Sequence, residues 1–365
     1  MMTISHRANK VEASEIRKAF ELAKRLKDPI DLSIGQPHFE VPAPVKDAAI
    51  QAIRDGFNRY TSTQGIPELR EKIAEIFKEE FGFSPPALLV TSGTAGALTL
   101  ALMTILDEND EVLITDPYFA MYKHLVNSLG GVVKFIDIYP DFRLKKEKIT
   151  PLITPRTKAI VFCTPANPTG VVYSKEEILM LVEIAREHNL LIITDEIYRT
   201  FAYDTRVESP ISYYDNTLVI NGLSKAFGMP GWRLGYAIGP AEMIEQMTVL
   251  QQWSFICAPA PFQKAAVVAL DYDMSEYIKD YHRKRDMVYE ALKDKYEIVK
   301  PNGSFYFFPK APNGDAMAFV EAAINYNLLL VPGIAFSNHN THFRISYAAS
   351  DEKLHKGLEI LRKLA

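Results

Sequence analysis

Residues 174–198 read SKEEILMLVEIAREHNLLIITDEIY, and two structural periods meet within them. From Lys175 to His188 apolar residues recur at helical spacing. Ser174 stands before them with Glu177 three residues on, the pairing in which each side chain can satisfy the other's backbone N–H at a helix start. From Leu190 to Thr194 the chain turns almost continuously apolar, as a strand covered on both faces must be. Asp195 follows directly. A carboxylate at the end of so apolar a strand costs free energy unless a cation meets it; the plainer reading is a helix cap.

The same alternation extends on both sides. Strands are predicted at Ala87 to Thr91, Glu111 to Thr115, Val132 to Ile136, Lys158 to Cys163 and Leu218 to Asn221, with helices at Ala95 to Leu106 and Tyr118 to Leu129. Apolar strands alternating with helices define an α/β fold with a mostly parallel central sheet flanked by helices. Such sheets bind ligands beyond the carboxyl ends of their strands. After about Pro261 the pattern changes to one long helical stretch, Ala265 to Lys295. An aromatic strand at Phe305 to Phe308, a helix near Ala316 to Tyr326, strands at Leu328 to Val331 and Phe343 to Tyr347, and a last helix at Asp351 to Lys363 complete it. This reads as a smaller α+β domain, giving a large domain over 43–264 and a small one formed by 1–42 with 265–365.

The 365 residues carry a formal net charge of -4 with both signs interspersed, and no basic run or basic amphipathic stretch points to nucleic acid or an anionic membrane. The two cysteines, Cys163 and Cys257, make neither a disulfide framework nor a metal site, and their apolar surroundings predict buried free thiols. Met1 to Lys10 lacks the apolar core of a secretory signal, and no apolar run is long enough to span a bilayer. A cytoplasmic location is the expectation.

Four segments put polar groups at predicted strand ends. Thr91-Ser92-Gly93-Thr94-Ala95-Gly96 lies between a strand and a helix; its small residues let backbone N–H groups approach an anion at a helix N-terminus, although a tight turn reads the same way. Asn167-Pro168-Thr169-Gly170 is a turn by composition, with an amide side chain at the sheet edge. Asp195-Glu196-Ile197-Tyr198 is the third. The fourth, Asn221 to Tyr236, holds Lys225 among small and apolar residues directly after a strand, with Arg233 eight positions on. A lysine held in an apolar site loses its proton more readily and can form an imine with an aldehyde. Together the four supply an amine, anion-binding donors, a cation and a carboxylate, which is the set pyridoxal phosphate requires.

In the order and spacing of these motifs the chain resembles the class I/II aminotransferases of the large pyridoxal-phosphate fold, from Gly35-Gln36-Pro37 to Phe343-Arg344-Ile345-Ser346. The resemblance implies pyridoxal 5'-phosphate as cofactor, held by Lys225 as a Schiff base, with Lys225 also shuttling the substrate's α-proton. It implies that Asp195 pairs with the ring nitrogen and that Tyr198 and Asn167 bond the ring's phenolate oxygen. Gly93, Thr94, Ala95, Arg233 and, more loosely, Ser224 would meet the phosphate. Tyr118 would stack on the ring, and Tyr60 would reach the phosphate of a neighbouring subunit, which implies a homodimer with active sites at the interface. Arg344 would grip the substrate's α-carboxylate, aided by Asn167 and the backbone of Gly35.

The chain departs from the family pattern in places. Gly222 stands where many relatives have a phosphate-binding serine, and Gln36 and His38 replace two carboxylates. Ala95 stands where one aspartate-specific branch has a lysine, and no arginine lies between Trp253 and Lys264. A neutral or aromatic amino donor is therefore at least as well supported as aspartate, with 2-oxoglutarate as the expected acceptor. Carbon–sulfur β-elimination on the same scaffold uses the same groups, whereas a regulatory protein of this type would carry an added DNA-binding domain, of which the sequence has no sign.

Overall fold

The computed structural model describes residues 5–9, 11 and 26–365; the rest of the segment before Leu26 lies outside the described residues. Seven strands form the central sheet: β2 (Leu88–Ser92), β3 (Glu111–Asp116), β4 (Val132–Asp137), β5 (Thr157–Cys163), β6 (Leu191–Asp195), β7 (Thr217–Gly222) and β8 (Leu234–Ile238). Their spatial order is β2-β8-β7-β6-β5-β3-β4, and β8 alone runs antiparallel to both of its neighbours. Every residue of β3 and β6 is buried, polar ends included. Helices on both faces exclude water from the strands, and the burial of such apolar runs drives this assembly.

The opening stretch folds as its pattern predicts. Ser174 accepts from the Glu177 N–H at 3.2 Å, Glu177 returns a bond to the Ser174 N–H at 2.7 Å, and the helix runs Lys175–Glu187. The mixed sheet with flanking helices agrees with the predicted α/β class; the sequence reading missed β8. Its five residues, Leu-Gly-Tyr-Ala-Ile, follow the Gly228 to Arg233 loop so closely that they read as the tail of that motif. Strand β8 needs Gly235, because a Cβ there would come within 2.5 Å of the Gly93 backbone. That close approach brings the start of the helix Gly93–Ile105 against the loop carrying Arg233.

The predicted helix Ala265 to Lys295 is two helices, Ala260–Leu270 and Ser275–Leu292. The Asp273 carboxylate accepts from the Ser275 N–H at 2.8 Å and its hydroxyl at 3.0 Å, offering the backbone an alternative to continuing the first helix. Strands β9 (Tyr306–Phe307), β11 (Val331–Pro332) and β12 (Phe343–Ser346) form an antiparallel sheet with β12 in the middle. Strand β1 (Ile30–Asp31) pairs in parallel with β10 (Leu328–Leu329), and Ser346 N–H donates to the Leu32 carbonyl at 2.7 Å, so the chain just before Gly35 is tied to this second layer. Cys163 is buried as expected, but Cys257 is only half-buried, because the turn after the helix Ala241–Gln252 leaves it near the surface. Among the described residues, no helix is long and apolar enough to cross a membrane.

Candidate active site

A cavity of about 270 Å³ opens where β5, β6 and β7 end, as a sheet of this kind dictates. Its walls include Gly35, Thr94, Ala95, Asn167, Asp195, Tyr198, Ser224, Lys225, Arg233 and Arg344, ten of the residues singled out from sequence. The elements that bring them together are far apart in the chain. Asp195 ends β6, Lys225 sits in the short helix Leu223–Ala226 after β7, and Arg344 lies on β12 of the second layer.

The Lys225 amine donates to the Gly35 carbonyl at 2.6 Å and lies 6.0 Å from the Tyr198 ring centre. Burial lowers its pKa to about 8, helped by the positive charge of Arg344 and opposed by Asp195. At pH 7 the free-base fraction is therefore roughly 300-fold larger than at the ordinary value of 10.5. Asp195 is shifted the other way: burial raises its pKa to about 6, against the lowering effect of its bonds. Those bonds come from the Tyr122 hydroxyl at 2.8 Å and the Ile197 N–H at 3.2 Å. Both donors are neutral, so this buried carboxylate is set up to meet a cation in the cavity.

Arg344 is buried, and its guanidinium lies 4.4 Å from the ring centres of both Tyr306 and Phe336. It donates to Asn167 Oδ1 at 3.0 Å and to the Ser33 carbonyl at 2.7 Å, while its buried Nε has no hydrogen-bond partner. An unsatisfied donor on a desolvated guanidinium is expensive unless a ligand completes it, and a carboxylate fits the fork. The Tyr198 and Tyr306 hydroxyls meet at 3.0 Å beside it.

On the opposite wall, Gly93 opens the helix Gly93–Ile105, whose first N–H groups face the cavity side at Thr94 and Ala95. Gly93 has φ 71°, and a Cβ there would lie 2.6 Å from Arg233 Nη2. The guanidinium thus rests against the helix start, forming a cradle of N–H donors and a cation suited to an anion. Arg233 itself adopts φ 57° and donates to the Pro230 carbonyl at 2.9 Å.

Tyr118 falls elsewhere, and Tyr60, expected at a neighbouring subunit's phosphate, lies apart from the cavity of its own chain. Tyr118 is buried against Phe135, with ring centres 5.1 Å apart, and it is the next residue, Phe119, that lines the cavity. The backbone N–H of Tyr118 is bonded to the Phe336 carbonyl at 2.7 Å. Tyr60 is 79% exposed and outside the cavity of its own chain. Sequence reasoning missed Tyr122, Tyr306, Phe119 and Phe336. The aromatic strand Phe305 to Phe308 and the position of Tyr122 one helical turn past Tyr118 were the available signals; alternation in the strand would have singled out one aromatic face.

Comparison with known proteins accords with this geometry. The family model described as "Aminotransferase class I and II" matches residues 27–361. A protein of Methanocaldococcus jannaschii called a probable aspartate aminotransferase is 37% identical, with 99% of each chain covered. Aromatic-amino-acid aminotransferase 2 of Thermococcus litoralis is 35% identical over 100% of this chain and 98% of its own. The structure of the Thermus thermophilus aspartate aminotransferase with maleate superposes with a TM-score of 0.95 at 36% identity, each chain covered completely. The fold and site thus define an aminotransferase of the pyridoxal-phosphate-dependent kind. This chain belongs to the class I and II aminotransferases, and its cofactor is pyridoxal 5'-phosphate.

The tie between Tyr122 and Asp195 yields a test within the cofactor-free protein. A hydrogen bond to the charged form lowers a carboxylate's pKa, so Tyr122→Phe is expected to raise that of Asp195 from about 6 by about one unit. A carbon-13 NMR titration of the aspartate carboxyls measures it; an unmoved midpoint would show that the bond does not support the charge.

Proposed function

We propose that the enzyme transfers the amino group of a neutral or aromatic L-amino acid to a 2-oxo acid, with 2-oxoglutarate as acceptor, and that Lys225 holds the cofactor as a Schiff base. The observation that carries this is the convergence, in one cavity, of a lysine whose pKa burial lowers, a carboxylate hydrogen-bonded only by neutral donors and an arginine with an unsatisfied donor. Bound pyridoxal phosphate supplies an aldehyde for amines and a ring that accepts the electron pair left when the substrate's α-carbon loses its proton.

In this reading the chain's residues divide the work. Asp195 keeps the proton on the ring nitrogen, its own charge held by Tyr122. The N–H groups of Gly93, Thr94 and Ala95, the Ser224 side chain and Arg233 hold the phosphate. Asn167 and Tyr198 face the ring's oxygen, and Phe119 rather than Tyr118 supports the ring face. Arg344 binds the α-carboxylate, aligned by Asn167 and by the Ser33 and Gly35 backbone. Lys225 Nζ then takes the α-proton and returns it as general base and acid, a role for which a pKa of about 8 suits neutral pH.

The preference for a neutral or aromatic donor rests on the apolar lining of Ala95, Phe119, Met121 and Ile197. With Arg233 at the phosphate and Arg344 at the α-carboxylate, no arginine is left among the described lining residues for a distal carboxylate. A panel of donors with 2-oxoglutarate as fixed acceptor tests this. Aromatic or neutral donors are expected to exceed aspartate in kcat/KM, and Ala95→Lys is expected to raise the aspartate value about tenfold. A wild-type preference for aspartate would overturn the donor assignment. Pyruvate released from cysteine-type donors without any acceptor would instead favour β-elimination.

We further divide the chain into a large domain, 43–264, and a small one, 1–42 with 265–365; pairing of Ile30–Asp31 with Leu328–Leu329 supports joining the two small-domain segments. We assign the protein to a homodimer in which Tyr60 reaches the partner's phosphate. Its exposure, and that of Trp253 at 87%, supports a covered surface.

A further inference from the structure

We propose that His38, held in one tautomer between Tyr281 and Lys284, is a positioning residue that sets the segment Ser33–Phe39 over the cavity and releases it when protonated. The proposal rests on the reading of Lys225 and Arg344 given above.

The segment bears on both groups through its backbone. The Ser33 carbonyl accepts from Arg344 and the Gly35 carbonyl from Lys225. Three residues after Gly35, His38 anchors the segment to the helix Ser275–Leu292: its backbone N–H meets the Tyr281 hydroxyl at 3.0 Å and its ring Nδ1 meets the same oxygen at 2.9 Å. Phe39 packs on Tyr277, with ring centres 4.6 Å apart, and lies so close to Gly228 that a Cβ there would be 2.9 Å from the Phe39 carbonyl oxygen.

The valences of Lys284 decide the histidine's tautomer. Lys284 is buried and pairs with Asp280 at 2.9 Å. It also contacts the Ala349 carbonyl at 2.8 Å and His38 Nε2 at 2.8 Å, with the Asp351 carboxylate farther off at 3.8 Å. An ammonium has three donors and no acceptor, so a ring nitrogen at hydrogen-bond distance from it must accept. His38 Nε2 must therefore be unprotonated, and Nδ1 carries the hydrogen directed to Tyr281. Protonation would put a hydrogen on Nε2 facing the ammonium, breaking that bond.

The groups facing His38 are Lys284, Asp280 and Tyr281 from the helix Ser275–Leu292, with Arg283 bonded to Asp280, and Asp351 from the start of the last helix. Burial and then Lys284 lower the histidine's pKa below 6.5, while Asp280 and Asp351 oppose them. With 28% of the side chain exposed, protons have access. The sign follows: the clamp is intact above the ordinary histidine range and is lost as pH falls through the lowered value.

The test uses the holoenzyme and two amine-free carboxylates, 3-phenylpropionate and maleate, whose binding requires no turnover. In the wild type, nitrogen-15 NMR of the histidine rings is expected to show His38 as the Nδ1–H tautomer at pH 8. Carboxylate affinity is expected to fall as His38 protonates. His38→Ala is expected to weaken binding about tenfold at pH 8 and to flatten that loss; His38→Asn, which restores a donor toward Tyr281, should recover affinity at pH 8 without the pH response. An Nε2–H tautomer, or a His38→Ala protein with wild-type affinity and pH dependence, would overturn the proposal. A wild type that binds neither carboxylate would overturn the reading of Arg344 and this inference with it, whereas wild-type binding with unchanged variants would overturn this inference alone.

Discussion

Lys225→Ala is expected to fold normally, to lose the visible absorption of the cofactor-loaded enzyme, and to transaminate at least about 10³-fold more slowly than the wild type. Two separate losses combine in it. The amine that anchors the cofactor goes, and with it the base that takes the α-proton. The fold should survive because Lys225 contributes a costly buried group rather than packing: burial is the first cause of its depressed pKa, and its amine donates to the Gly35 carbonyl. A variant of wild-type thermal stability that kept the absorption band and the rate would exclude Lys225 from both roles. Far-ultraviolet circular dichroism beside the absorption spectrum makes the two possibilities separable.

Arg344→Ala should act on substrate more than on cofactor. Losing a desolvated guanidinium that makes charge-assisted bonds to a carboxylate costs on the order of 3 kcal/mol, or about 10²-fold in kcat/KM. The loss should be carried largely by KM, and every amino donor should suffer it, because all share the α-carboxylate. A second effect follows from electrostatics. Arg344 is the leading charge that lowers the Lys225 pKa, so its removal should move that pKa upward from about 8. A pH titration of the Lys225 amine in the cofactor-free protein should show its midpoint shift in the same direction. Loss of cofactor affinity with unchanged KM would contradict the assignment.

Much of this site was legible because it lies in motifs that the strand pattern itself positions. A largely apolar five-residue strand ending in Asp195, and a lysine three residues after the strand that ends at Gly222, point beyond the carboxyl edge of a mostly parallel sheet. Arg344 was recognisable only through the resemblance, since nothing local in Phe343-Arg344-Ile345-Ser346 says that β12 turns toward β6. The missed groups are those brought in by tertiary packing. Tyr122 reaches Asp195 across 73 residues of sequence, and Tyr306 reaches Tyr198 across 108. Tyr118 shows the limit of motif reading at single-residue resolution: its ring packs on Phe135, and the cavity wall falls to Phe119. Strand β8 was hidden for a different reason, because a five-residue strand behind a glycine-rich loop carries too few alternations to be seen. The break between Leu270 and Ser275 was missed because it holds neither Gly nor Pro, and its local marker is the Asp273 carboxylate bonded to Ser275.

Borohydride reduction of the holoenzyme fixes the cofactor to whichever lysine holds it, and peptide mass mapping then locates it. The predicted result is a phosphopyridoxyl group on the peptide containing Lys225; a label on another lysine, with Lys225 unmodified, would contradict it.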